Sequence, residues 1–96
     1  VTEQDIYSVE LSDRAKKALK RLDKETTIRI LARLDELVQN AETASHYALR
    51  GELKGYFRER VGDYRIIFLI DHAIRLIMVE AIGHRRDVYG KLRRAK

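Results

Sequence analysis

From Ile6 to Leu11, "IYSVEL", apolar and polar positions alternate, and Tyr7, Val9 and Leu11 fall on one face, which predicts a half-buried strand. The period then lengthens. Ser12 offers an N-cap, and Ala15, Ala18, Leu19 and Leu22 follow at helical spacing. Asp23 can cap a second helix, in which Ile30, Leu31, Leu34, Leu37, Val38 and Ala41 form an apolar stripe opposite Arg29, Arg33 and Glu36 and which ends near Asn40. So few residues separate the two helices that they are expected to form an antiparallel hairpin.

Residues 42–55, "ETASHYALRGELKG", keep no period and contain two glycines, so they read as a loop with a turn of helix at most. Beyond them the pattern is strand-like. "YFRERV", "YRIIFLI" and "IRLIMVEAI" are β-rich runs separated by Gly62-Asp63 and by Asp71-His72-Ala73. Both breaks read as hairpin turns, with glycine first in the earlier one as a type II′ turn prefers. The order β-α-α-β-β-β predicts an α+β fold: an antiparallel sheet, joined by the first strand, with the helical hairpin packed on one face.

A chain of 96 residues gives room for one domain, residues 1–96. Cysteine is absent, which excludes a disulfide framework and a thiolate metal site, and His46, His72 and His84 lack ligand-like spacing. No metal and no other cofactor is expected. The longest pure apolar run, Ile66 to Ile70, is too short to span a bilayer, and no signal peptide is recognisable, so the expected location is the cytoplasm.

Charge divides the chain. Residues 1–48 hold 8 Lys/Arg against 9 Asp/Glu, whereas residues 49–96 hold 12 against 6, nine of the twelve being arginine. Arginine suits bidentate phosphate recognition, so a polyanion is the expected partner, nucleic acid before an acidic protein.

The hairpin register sharpens this. With Gly62-Asp63 as a two-residue turn, Arg60 falls opposite Arg65, and Arg58 projects from the same face. Like charges placed opposite one another destabilise a sheet, and a bound anion would relieve them. Protein carboxylates are the alternative. Glu80 lies across from Arg65 if the next turn also has two residues, whereas Glu59 points to the other face. "GHRRDVYG", residues 83–90, leaves the sheet beside this strip. One site is therefore expected to hold Arg58, Arg60, Arg65, His84, Arg85 and Tyr89. Its arginines can neutralise a phosphoryl transition state, His84 can transfer a proton near neutral pH, and Tyr89 can stack on a base or bond the sugar-phosphate backbone. Such parts suit RNA cleavage by the 2′-hydroxyl without a metal. Lys54 and Arg86 join Arg58 and Arg60 as phosphate-binding candidates. His46 and His72 read as loop and turn residues, Tyr7 and Tyr64 as packing, and "KLRRAK" as a solvated or frayed basic tail.

"RVGDYR" and "GHRRDVY", within "LKGYFRERVGDYRIIFLID…IGHRRDVYG", resemble the RelE/ParE superfamily of toxin–antitoxin toxins, its RelE branch above all, across nearly the whole chain. The resemblance implies the RelE-like microbial RNase fold and a ribosome-dependent mRNA endoribonuclease, an mRNA interferase cleaving in the decoding site. It implies a cognate RelB-like antitoxin, ribosome and mRNA as partners, a possible toxin–antitoxin hetero-oligomer, and no membrane. It also implies that Arg65 stabilises the phosphate, Arg85 is the arginine after the last strand, and Tyr89 positions substrate. Arg58 and Arg60 stand where RelE carries lysines. Arginine cannot exchange a proton, so the base is sought in His84, with Glu52 a distant alternative. A ParE-like inhibitor of DNA gyrase, or an inactive member that only binds antitoxin, are the alternatives.

Overall fold

The computed structural model describes residues 6–43 and 45–95; residues 44 and 96, in the expected loop and tail, lie outside them. The order is β1 (Ser8–Leu11), α1 (Asp13–Arg21), α2 (Lys24–Asn40), β2 (Tyr47–Ala48), a 3-10 turn (Gly51–Leu53), β3 (Phe57–Val61), β4 (Tyr64–Asp71), β5 (Leu76–His84) and α3 (Val88–Ala95). The five strands form one sheet in the order β1-β5-β4-β3-β2.

Both N-caps are as the sequence predicts. Ser12 Oγ accepts from the Ala15 amide at 3.1 Å, and Asp23 Oδ2 accepts from the Thr26 amide at 3.2 Å. Ser12 Oγ also donates to the Glu80 carbonyl at 2.7 Å, tying the start of α1 to β5. Ile30, Leu34, Leu37 and Ala41 are buried, while Leu31, expected on the stripe, is 48% exposed. They pack on Ile66 and Phe68 of β4, Ile77, Val79 and Ile82 of β5, and Tyr7. At the first hairpin turn Gly62 has φ +60° and Asp63 keeps a negative φ, the type II′ pattern.

Four features correct the sequence reading. The sheet is mixed, because β1 runs parallel to β5, pairing Ser8 with Leu76 through Leu11 with Val79. A parallel pair needs a long connection, and residues 12–75 supply it. The expected loop contains β2, which pairs antiparallel with β3. The turn between β4 and β5 spans four residues, ending at Arg75 with φ +52°, and the register shifts by one between Ile67 and Phe68. Gly83, not Glu80, therefore faces Arg65. Finally, the expected tail folds into α3. Its Val88 and Leu92 pack with Ile67, Ala81, Leu53 and Tyr56 in a second, smaller core on the other face of the sheet.

Candidate functional site

The strands alternate in side-chain direction, so each residue of the expected site is assigned to a face. Val61, Tyr64, Ile66 and Ile82 point toward the helical hairpin. Arg58, Arg60, Arg65 and Ile67 point the opposite way, toward α3. Arg60 is directly paired with Arg65, as the two-residue turn requires. Glu59 does take the other face, where its Oε2 accepts from Arg33 Nη1 at 2.6 Å, so it neutralises none of the three arginines.

The arginines differ in depth. Arg65 is only 6% exposed, and its Nη1 donates to the Gly62 and Tyr64 carbonyls at 3.0 and 2.9 Å. It thus braces the β3–β4 turn from beneath, a structural duty the sequence did not reveal. Its Nε is buried without a partner. Gly83 opposite lets α3 close over this position, since a Cβ there would meet Val88 Cβ at 3.3 Å. Arg60 is exposed, and its carbonyl accepts from Arg33 Nη1 at 2.7 Å.

Arg58 lies on a different arrangement. Tyr47 of β2 is its cross-strand partner, and the guanidinium carbon sits 3.7 Å from the centre of that ring. Tyr47 remains 58% exposed. On α3, Val88 and Leu92 face the core, whereas Tyr89 and Arg93, one step round the helix at the same spacing, border an open groove. This groove, 290 Å³ in volume, is lined by Tyr47, Arg50, Leu53, Arg58, Tyr89 and Arg93 among others. It contains no carboxylate. Arg58 Nε and Tyr89 Oη are buried there without hydrogen-bond partners. Cationic forks, one stacked ring and unmatched polar atoms are a combination able to hold a phosphodiester and a base.

The expected single site is therefore divided. Arg58 and Tyr89 meet in the groove, and Arg60 and Arg65 share its face of the sheet. His84 does not join them. It pairs with Tyr64 across the strands, their rings meeting edge-on at 5.6 Å, and so projects toward the hairpin side. Its Nδ1 accepts from the Arg86 amide at 3.2 Å, which leaves Nε2 to carry the proton of the neutral ring. Arg85 is half exposed and pairs with Asp63 at 3.6 Å, while its amide donates to the Asp63 carbonyl at 2.8 Å. Arg86 lies exposed in the same turn, and Lys54 and Glu52 lie exposed about the 3-10 turn outside the groove lining.

Tyr47, Arg50 and Arg93 were missed. The alternation of His46 with Tyr47 was a usable signal for the first: His46 packs edge-on against Phe57 and Phe68 on one side while Tyr47 takes the other. Tyr7 is buried, its hydroxyl donating to Glu42 Oε1 at 3.0 Å and sharing a 2.6 Å hydrogen bond with His72 Nδ1. Burial and the Glu42 bond hold that phenol above the ordinary tyrosine range.

Residues 9–89 match the family model for the ParE toxin of the type II toxin–antitoxin system parDE. A search of curated proteins gives no significant match. Among solved structures, the RelBE2 toxin–antitoxin complex from Mycobacterium tuberculosis is similar at 25% identity and a TM-score of 0.74, over 83% of this chain and 99% of that one. An archaeal RelE–RelB complex from Pyrococcus horikoshii OT3 matches at 25% identity and a TM-score of 0.69, over 85% and 98%. The intact E. coli RelBE complex, at 18% identity and a TM-score of 0.70 over 81% and 95%, shares the fold.

Proposed function

The chain belongs to the ParE toxin family of type II toxin–antitoxin systems, and from that premise we propose that it is a ribosome-dependent mRNA endoribonuclease restrained by a RelB-like antitoxin. The observation that carries this reading is the groove on the α3 face: arginines and tyrosines gathered without a carboxylate, around two buried polar atoms that have no protein partner. RNA supplies the missing anion. A phosphodiester oxygen meets the guanidinium groups that line the groove, and a base lies on the exposed Tyr47 ring. Cleavage proceeds by attack of the 2′-oxygen on the adjacent phosphorus, forming a 2′,3′-cyclic phosphate as the P–O5′ bond breaks; water takes the 2′ proton and supplies one to the departing 5′-oxygen, while Arg58 and Arg60 offset charge on the non-bridging oxygens.

Arginine neither takes nor gives a proton at neutral pH, and no histidine lines the groove. The catalyst thus lacks a base of its own, which is the reason to expect dependence on the ribosome for in-line orientation. Such a toxin acts in the cytoplasm. The two similar complexes, both of a toxin with its antitoxin, support an antitoxin partner here.

Primer extension on translating ribosomes programmed with a defined mRNA tests the reading. The wild type should cut in the decoding site, and Arg58→Ala and Tyr89→Phe, both folded, should cut at least tenfold more slowly. Absence of cleavage by folded wild type at every codon would leave the second reading, inhibition of DNA gyrase. The separation of His84 from the arginines, which leaves no proton-transfer group among them, favours that second reading.

A further inference from the structure

We propose that two copies of this chain associate through the outer face of α2, the two helices running antiparallel about a two-fold axis. Ile30, Leu34 and Leu37 turn the inner face of α2 into the larger core. On the outer face Lys24, Ile28, Leu31 and Asp35 follow at intervals of four, three and four residues, the narrow seam by which one helix packs along another. All four are exposed, Ile28 to 55% and Leu31 to 48%. One exposed aliphatic side chain is ordinary, whereas two adjoining ones held between opposite charges make an ordered surface.

That order decides the occupant. Lys24 lies four residues before Ile28 and Asp35 four after Leu31, so the seam read backwards matches itself, apolar on apolar and lysine on aspartate. Laid antiparallel on a second copy, Ile28 meets the partner's Leu31, Leu31 meets the partner's Ile28, and each Lys24 meets the partner's Asp35. Such reciprocal contacts are what a closed two-fold interface requires. A parallel pairing would set lysine on lysine and aspartate on aspartate. Among the described residues neither Lys24 nor Asp35 is ion-paired, so both charges are free to engage a partner.

The surroundings suit the same arrangement. Antiparallel helices oppose their dipoles. Thr27, one turn before Leu31, lines a 310 Å³ groove between α1 and α2 with Lys16, Leu19 and Lys20, which gives aliphatic side chains of a second copy room to seat. A contact one helix wide falls below the roughly 1,000 Å² of a stable interface, so the association is weak and depends on concentration. This inference uses neither the arginine groove nor RNA cleavage.

Sedimentation equilibrium over a concentration series tests it. Wild type should pass from monomer to dimer, less readily as salt rises. K24D and D35K each turn two opposite-charge contacts into like-charge ones and should weaken the dimer at least tenfold, while K24D/D35K, with both pairs reversed, should regain wild-type association. Both positions are exposed and both changes agree with the helix dipole, so the variants should stay folded. Because the chain has no cysteine, disulfide trapping fixes the direction. Under oxidant a mixture of K24C and D35C should cross-link and neither should do so alone, since like positions would stand about 16 Å apart along the helices. A wild type monomeric at every concentration, as when a protein of different sequence covers this face, would overturn the proposal. So would single variants that dimerise like wild type, a double variant that fails to recover, or K24C cross-linking with itself.

Discussion

The two faces of the sheet use the same strands for different ends. On the hairpin face, Ile66 and Phe68 of β4 meet α1 and α2 in the larger core, and the polar exceptions are paired, as Glu59 is with Arg33. On the α3 face, Ile67 joins a smaller core, and arginines sit beside it without carboxylate partners. The first face follows the rules for making a stable sheet. The second departs from them at Arg58, Arg60 and Arg65, and a departure from local rules is the place to look for function.

The largest expected effect breaks the first face. Phe68→Ala removes a side chain with 0% exposure and should cost about 4 kcal/mol, measured by urea denaturation. Leu92→Ala on the second face should cost about 2 to 3 kcal/mol, because a short helix at the chain's end can relax into the space. Equal losses would mean that the smaller core carries as much of the fold as the larger.

Arg65→Ala should cost about 2 kcal/mol by leaving the Gly62 and Tyr64 carbonyls without their charged donor. It should also lower toxicity when expressed, so its stability must be measured beside its activity. Arg58→Ala sharpens the contrast: its stacked guanidinium contributes under about 1 kcal/mol, so the melting temperature should barely move while RNA cleavage falls at least tenfold.

The smallest effect is a pH dependence on the first face. Tyr7 is held neutral in the folded protein, so its contribution is complete below the ordinary tyrosine value near pH 10 and is lost as the pH rises through the higher folded value. Tyr7→Phe should flatten this alkaline decline in a pH series of denaturation midpoints.

Much of this was legible in the sequence. Ser12 and Asp23 announced both helices, and Gly62-Asp63 announced the pairing of Arg60 with Arg65. Period-two alternation gives a residue's face but not its depth. Arg65 is buried because α3 closes over it, and "VYGKLRRA", short and interrupted by glycine, carries too little intrinsic helix preference to show itself before Val88 and Leu92 find their core. The place of His84 was hidden differently. A four-residue turn and a one-residue register shift set which β5 residue faces Arg65, and neither has a sequence signature here. Counting charge by halves also concealed α1, whose nine residues carry five cations against Asp13.

The cations of the α3-face groove, Arg50, Arg58 and Arg93, share one property: an arginine keeps its charge throughout the range in which cells live. No acid stress arms this surface and no alkaline shift disarms it. On the proposed reading, its attraction for a polyanion is a constant of the fold, restraint of the toxin comes from something that covers the groove or stays bound elsewhere, and the switch is one of occupancy.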